Sequence, residues 1–137
     1  MKSERVVLYT SLLIGGFLSA TSMPARVVER AISTGHLVGT AATLRDLLAK
    51  LLSPTLDHYV PRERRETLAM RLAPLIEIVE VIQLIRASRD PDDDKFLEAA
   101  VNGRADVVVR GDGSLLDLSS FRGIAIFTPA AYLNRKV

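Results

Sequence analysis

Short β-branched runs alternate with amphipathic segments along the whole chain. The runs predict about five strands, at residues 5–9, 36–39, 76–82, 105–109 and 123–127, because buried strands are short and rich in Val and Ile. Capping residues and apolar residues at helical spacing predict helices at 12–18, 24–34, 40–52, 61–72, 94–102, 115–118 and 128–132. This alternation predicts an α/β fold with a mainly parallel sheet covered by helices on both faces.

A parallel sheet of this kind places its ligand site beyond the carboxyl ends of its strands. Three polar stretches are therefore candidates. They are Tyr9-Thr10-Ser11 after the first strand, residues 110–114 after the fourth, and the acidic residues 89–96.

The acidic stretch contains Asp90, Asp92, Asp93 and Asp94 around Pro91, directly before an apolar helical segment. Asp and Pro at a helix entrance are typical of an N-terminal cap, and the helix dipole offsets part of the repulsion between the carboxylates. The same carboxylates also suit a hard cation, for which Asp94 is the candidate ligand. From this stretch alone, the two interpretations are equally good.

Composition bounds the fold and the chemistry. At 137 residues and 15.0 kDa, the chain is expected to form one domain, residues 1–137, that buries roughly two thirds of its unfolded surface. The absence of Cys favours a reducing compartment, the cytoplasm. His36 and His58 are far apart in the chain, which argues against zinc. Any metal is then expected to be Mg²⁺ or Mn²⁺ on carboxylates.

The apolar stretch 6–20 is compatible with a secretory leader or with a buried strand followed by a helix. Glu4 in its basic flank and Gly15-Gly16 in its middle favour the strand and helix. The stretch is also too short to span a bilayer, so no membrane segment is expected. The formal net charge of +2 does not by itself argue for nucleic-acid binding.

Segment 89–98 reads RDPDDDKFLE and resembles a block found in PIN-domain proteins, particularly the toxin components of toxin–antitoxin systems. Weaker similarities accompany it in the same order over nearly the whole chain: Pro24-Ala25-Arg26, Ala105-Asp106, Gly111-Asp112, and segment 121–130. The resemblance implies a three-layer α/β/α sandwich whose cleft holds one or two divalent ions on acids. In active members these ions position a water that cleaves RNA. The implied partners are RNA, an antitoxin protein and a second copy of the chain.

Carried over by position, the resemblance implies that Asp46, Asp94 and Asp112 are the metal-binding and catalytic acids, with Asp92 and Asp93 beside them in the cleft. At the position of Asp46 the family usually has Glu. The shorter side chain retracts the carboxylate by about one C–C bond, roughly 1.5 Å.

Four cleft positions depart from the family pattern. The family's first strand ends in Asp-Thr-Asn, whereas this chain has Tyr9 and Ser11 on either side of the retained Thr. Arg110 replaces a Thr after the fourth strand, and Ser114 replaces an acid. A phenol, with a reference pKa of about 10, carries no charge at neutral pH. These departures predict weak or absent Mg²⁺ or Mn²⁺ binding.

Each candidate residue also has a structural interpretation. Asp46 lies four residues before Lys50 and away from the predicted leucine face, 44-48-51, which favours a solvated ion pair. Tyr9 is equally well interpreted as a core aromatic, and Asp112 with the following Gly is typical of a turn. Arg110 is predicted to enter the cleft and pair with Asp94 or Asp112 in place of an ion.

The charged helix 61–72 raises a separate question. Arg62, Arg64, Arg65 and Arg71 are spaced so that they could track a phosphate backbone, but the glutamates between them favour a salt-bridged surface helix.

Three functions from different classes fit these observations. The favoured one is a non-cleaving protein on a PIN scaffold that binds nucleic acid or another partner. The alternative is an active Mg²⁺- or Mn²⁺-dependent endoribonuclease, the toxin of a toxin–antitoxin pair, that uses the remaining acids; whether the chain is an enzyme stays open. A receiver-like phosphoacceptor domain is the weakest, because the first-strand acid it needs is replaced by Tyr9.

Overall fold

The centre of the molecule is a six-stranded sheet. The computed structural model describes residues 3–87, 91–111 and 119–135. The strands are β1 (Glu4–Leu8), β2 (Gly35–Gly39), β3 (Ile76–Ile78), β4 (Val107–Val109), β5 (Ser120–Phe121) and β6 (Ile124–Phe127). They lie in the order β3-β2-β1-β4-β6-β5, and all neighbours are parallel except β5 and β6. The predicted α/β class with a mainly parallel sheet is confirmed.

Six α-helices lie in the described ranges. They are α1 (Thr10–Leu18), α2 (Met23–Thr34), α3 (Ala41–Leu51), α4 (Arg62–Leu72), α5 (Pro91–Asn102) and α6 (Pro129–Asn134). The first five come between strands, and α6 follows β6. Ser22, Thr40 and Thr128 cap α2, α3 and α6 through their side-chain oxygens, as polar residues before an apolar segment predict. The predicted helix 115–118 lies outside the described residues.

Helices cover both faces of the sheet. Val6 and Val7 are neighbours on β1, so their side chains point to opposite faces, and their exposed fractions are 0% and 1%. Helix α5 packs against β1, β2 and β4, while α2 packs against β1, β2 and α6. The three-layer α/β/α arrangement is therefore confirmed.

The apolar N-terminal stretch forms β1 and α1, as expected. Within the residues that the structure describes, no single helix has the length and apolar character needed to cross a membrane. Helices α1 and α2 meet that test only as a pair, and they are bent by 110° at the break between them.

Edge strand β5 is a feature that the sequence pattern does not predict. It forms a hairpin with β6 through Arg122 and Gly123, which have positive φ angles of 50° and 79°. Two-residue hairpin loops with both φ angles positive are the ones that suit the twist of paired strands, and glycine adopts such angles without strain. A strand of two residues is too short to show alternation.

Strand β3 is shorter than the predicted 76–82, because it ends at Ile78. Beyond it, the backbone N–H groups of Ile82 and Gln83 donate to Asn102 Oδ1 of α5 at 2.8 and 2.9 Å, and Asn102 Nδ2 donates to the Gln83 carbonyl at 2.8 Å. Since α5 satisfies these backbone groups, the chain leaves the sheet after β3 and runs along α5.

Helix α4 corrects the prediction of a purely surface helix. The ion pair between Arg62 and Glu66, 3.6 Å, is of the predicted kind, but Arg65 is fully buried, with an exposed fraction of 0%. Its guanidinium pairs with Asp57 and donates to three main-chain carbonyl oxygens, those of Leu51, Ser53 and Val60. Arg65 therefore cannot track a phosphate backbone.

Candidate functional site

The carboxyl ends of β1 and β4 lie side by side. Leu8 pairs with Val109 in a parallel register, and the backbone N–H of Tyr9 donates to the Val109 carbonyl at 3.1 Å. Helix α1 starts one residue after Tyr9, and Arg110 directly follows β4. The carboxyl ends of the first and fourth strands are thus adjacent, at the end of the sheet where the sequence predicts the site.

Tyr9 closes the end of β1 with an aromatic contact. Its ring stacks on Phe96 of α5 with 4.1 Å between the ring centroids and 21° between the planes. Both residues are buried, with exposed fractions of 6% and 4%, and Lys95 Nζ lies 5.9 Å from the centroid of the Phe96 ring. Tyr9 is therefore a core aromatic that joins the end of β1 to the first turns of α5.

Asp46 of α3 accepts hydrogen bonds from three side chains. Thr10 Oγ1 donates to its Oδ2 at 2.6 Å, Lys95 Nζ to its Oδ1 at 3.0 Å, and Lys50 Nζ to its Oδ2 at 3.3 Å. The ion pair with Lys50 is the predicted one, whereas the contacts to Thr10 and Lys95 are not predicted. Three elements, α1, α3 and α5, therefore converge on one carboxylate.

The predicted solvated position of Asp46 is wrong, since its side chain is only 10% exposed. The buried residues of α3 are Thr43, Leu47 and Leu51, so the buried face shares Leu51 with the predicted 44-48-51 but is rotated from it toward Thr43 and Leu47. Asp46 lies next to Leu47 and three residues after Thr43, so it borders the buried face rather than opposing it.

The contacts of Asp46 set its protonation. Burial acts to raise the pKa of its carboxyl group, but the hydrogen bonds from Thr10, Lys95 and Lys50 outweigh burial, and the pKa falls below the ordinary value of 3.8. At neutral pH the group is therefore a carboxylate that compensates two ammonium groups.

Asp94 lies in the first turn of α5, because the helix begins at Pro91 instead of Asp94. Its Oδ1 accepts a hydrogen bond from the backbone N–H of Ala87 at 3.0 Å. One turn further, Glu98 Oε2 accepts from the backbone N–H of Ile85 at 3.1 Å. Together with Asn102 another turn on, these side chains attach segment 82–87 to α5. Asp94 thus has a structural contact whether or not it binds a cation.

The remaining acids of the predicted site are placed differently. Asp92 is exposed and Asp93 half-buried, both in the first turn of α5. Ser11 is exposed in the first turn of α1. Asp112 and Ser114 lie outside the described residues, and their predicted roles stay predictions.

Arg110 is 9% exposed. Its backbone N–H donates to the Phe127 carbonyl at 2.9 Å. Among the described residues, its Nε and Nη1 atoms have no hydrogen-bond partner, and no ion pair joins it to Asp94. The other half of that prediction, a pair with Asp112, is not tested by the described ranges.

The described residues do not by themselves fit a divalent ion. Nowhere in residues 3–87, 91–111 and 119–135 do three His, Asp or Glu side chains form a group that could hold a metal. Both oxygens of Asp46 already accept hydrogen bonds from other side chains.

Lys95 and Phe96 are the site residues that the sequence reasoning missed. Both belong to the RDPDDDKFLE segment, and a lysine directly after an acidic run was a visible signal for an internal counter-ion. Phe96 carried no comparable signal, because an aromatic residue at that position is also expected in an ordinary helix core.

No curated protein sequence matches the chain significantly. The family model described as PIN domain matches residues 5–114, a span that begins in β1 and includes Asp46, the first turn of α5 and Arg110. The chain therefore belongs to the PIN-domain family and has its nuclease-like fold.

Proposed function

We propose that this PIN-domain protein binds RNA without cleaving it. The observation that carries the proposal is the stack of Tyr9 on Phe96. The family resemblance leads one to expect a carboxylate at the end of the first strand, and here a buried, uncharged ring takes that place. A divalent cation needs anionic oxygens to replace part of its hydration shell, and Tyr9 offers none at neutral pH.

The contacts of Asp46 support the same conclusion. Where a metal ligand would present free oxygens, Asp46 is held by Lys95 at 3.0 Å and by Lys50 at 3.2 Å. An ion at this carboxylate would have to displace two ammonium groups, and it would be repelled by them until it did.

One lysine of this cluster is open to an anionic ligand. Lys50 is 61% exposed, so its ammonium group can meet a phosphate, whereas Asp92, Asp93 and Asp94 in the first turn of α5 oppose one. Positive charge at an exposed edge attracts the phosphate backbone without reading its sequence. Binding is therefore expected to weaken as salt concentration rises.

The test combines cleavage with binding. Wild-type protein and Tyr9→Asp are incubated with a labelled single-stranded RNA in Mg²⁺ and then Mn²⁺, and products are followed on denaturing gels. Binding of the same RNA is measured by fluorescence anisotropy in EDTA. We expect the wild type to bind RNA in EDTA and to leave it intact in either metal, and thermal melting checks that Tyr9→Asp is folded.

Metal-dependent cleavage by the wild type that disappears in Asp46→Asn would overturn the proposal. It would establish the alternative, a Mg²⁺- or Mn²⁺-dependent endoribonuclease. Absence of RNA binding by the wild type would also overturn it.

A further inference from the structure

Lys95 of α5 meets Asp46 of α3 where the carboxylate has little access to water. Lys95 Nζ lies 3.0 Å from Asp46 Oδ1, and the exposed fractions of the two side chains are 23% and 10%. The ammonium group also lies 5.9 Å from the centroid of the Phe96 ring. A carboxylate this far from water is costly unless a positive charge compensates it. Lys95 supplies that charge from a different helix.

Lys50 is the second ammonium group at this carboxylate, and it is the weaker counter-ion. Its Nζ lies 3.2 Å from Asp46 Oδ1, but its side chain is 61% exposed. Water and salt screen an exposed pair between residues four apart on one helix, so such a pair contributes little. Of the two lysines, Lys95 therefore does more to balance the charge of Asp46.

Thr10 of α1 binds the other oxygen of Asp46. Its Oγ1 donates to Oδ2 at 2.6 Å, and Thr10 is 3% exposed. Lys95 thus holds Oδ1 while Thr10 holds Oδ2. A cation that approached either oxygen would have to break a contact made by a side chain with little exposure.

The charge balance around Asp46 depends on Tyr9. The family resemblance extends to Lys95, which belongs to the RDPDDDKFLE segment, but it leads one to expect an acid where this chain has Tyr9. Two carboxylates beside one ammonium group keep a net negative charge, which attracts a divalent cation. With the uncharged ring of Tyr9 in place of one acid, a single ammonium group balances Asp46.

We propose that Lys95 is an internal cation, whose ammonium group holds the carboxylate that the PIN fold otherwise offers to a divalent ion. This inference rests on the proposed function, a PIN fold that does not cleave RNA, and it names the residue that closes Asp46 to cations. The folded protein is then expected to be as stable in a chelator as in a solution of Mn²⁺. Removal of Lys95 is expected to open Asp46 to the ion.

The test compares Lys95→Met with Lys50→Met, two variants that remove the same charge from the same carboxylate. Thermal melting is followed at neutral pH in EDTA and in millimolar MnCl₂, with NaCl added to match the ionic strength. In EDTA, Lys95→Met is expected to melt about 5 °C below the wild type, because Asp46 loses its main counter-ion. Lys50→Met is expected to lose less than about 2 °C.

The response to Mn²⁺ separates charge balance from packing. MnCl₂ is expected to leave the melting temperature of the wild type unchanged and to raise that of Lys95→Met by about 3 °C, because the ion binds the folded state at Asp46. The double variant Lys95→Met/Asp46→Asn keeps no unbalanced carboxylate at this position. It is expected to melt above Lys95→Met in EDTA and to show no response to MnCl₂.

Three results would overturn the inference. They are a wild type that gains as much from MnCl₂ as Lys95→Met does, equal melting of wild type and Lys95→Met in EDTA, and a Lys95→Met protein that does not respond to MnCl₂. If Lys95→Met does not fold, the double variant decides. A folded double variant supports the counter-ion role, and an unfolded one overturns it.

These melting experiments contain no RNA, so their failure is distinct from that of the proposed function. If MnCl₂ stabilises the wild type while RNA is bound and left intact, the inference is wrong and the proposed function stands. If MnCl₂ acts only on Lys95→Met and the wild type does not bind RNA, the proposed function is wrong and the role of Lys95 stands.

Discussion

Tyr9 shows how one residue changes the character of the cleft. The sequence itself shows an uncharged tyrosine at this position and predicts that it follows the first strand. Its partner was not predictable, because the stack on Phe96 depends on how α5 crosses the end of β1, and a single sequence does not specify that crossing. The contact means that Tyr9 contributes to the stability of the core.

Replacement of Tyr9 should therefore separate stacking from polarity. Tyr9→Phe keeps the ring contact and is expected to cost less than about 1 kcal/mol of unfolding free energy. Tyr9→Ala removes it and is expected to cost about 3 kcal/mol. Urea denaturation of the three proteins at neutral pH measures both. Equal stability of wild type and Tyr9→Ala would show that the stack is not part of the core energetics.

At the scale of elements, α4 shows where reasoning from charge fails. Arg65 shares a helix face with Ala69 and Leu72, four and seven residues further on, and all three are buried. The spacing is visible in the sequence, but charged residues are rarely buried, so the sequence favours a surface position for Arg65. Three carbonyl acceptors at the end of α3 and in the following loop allow the guanidinium to be buried, and acceptors this far along the chain cannot be read from the α4 sequence.

Loss of Arg65 is expected to be strongly destabilising. Arg65→Met keeps a long apolar side chain but leaves the carbonyls of Leu51, Ser53 and Val60 without their donor, which should cost on the order of 3 kcal/mol. Arg62→Met on the same helix removes an exposed ion pair and should cost less than about 1 kcal/mol. Chemical denaturation of both variants tests the contrast, and similar losses would contradict the role assigned to Arg65.

At the scale of the whole molecule, strand–helix alternation was enough to predict the class of the fold, and the carboxyl ends of β1 and β4, where the sequence predicts the site, lie side by side. The alternation could not predict which charges pair across the fold. Arg5 of β1 reaches Glu77 of β3 at 2.7 Å, and Lys95 of α5 reaches Asp46 of α3 at 3.0 Å. Such pairs follow from the relative placement of whole elements, which periodicity along the chain does not encode.

These pairs predict loss of stability in acid. The hydrogen bond from Arg5 is the largest cause of a lowered pKa for Glu77. The pKa of Asp46 is lowered against the opposing effect of burial. A carboxyl group whose pKa is lower in the folded state stabilises the protein above its unfolded-state pKa, and this stabilisation is lost as pH falls through the folded-state pKa. The unfolding free energy should therefore fall as pH drops below the ordinary values of 4.5 and 3.8.

Urea midpoints measured from pH 6 to pH 2.5 test this dependence. Asp46→Asn and Glu77→Gln are each expected to be less stable than the wild type at pH 6 and to show a smaller loss in acid. A variant whose stability falls as steeply as that of the wild type would show that its carboxyl group does not contribute.

The row of α5 side chains that attaches segment 82–87 also affects solubility. An edge strand exposes unpaired backbone groups, and a long, flat, apolar edge is a template on which other chains can pair and aggregate. Ile82 and Leu84 have exposed side chains and lie in the segment after β3. If this segment continued β3, the exposed edge strand would be longer and more apolar. Because Asn102 and Glu98 bind the backbone of this segment, the outer parallel strand is limited to the three residues of β3. The edge on which another chain could pair is therefore short.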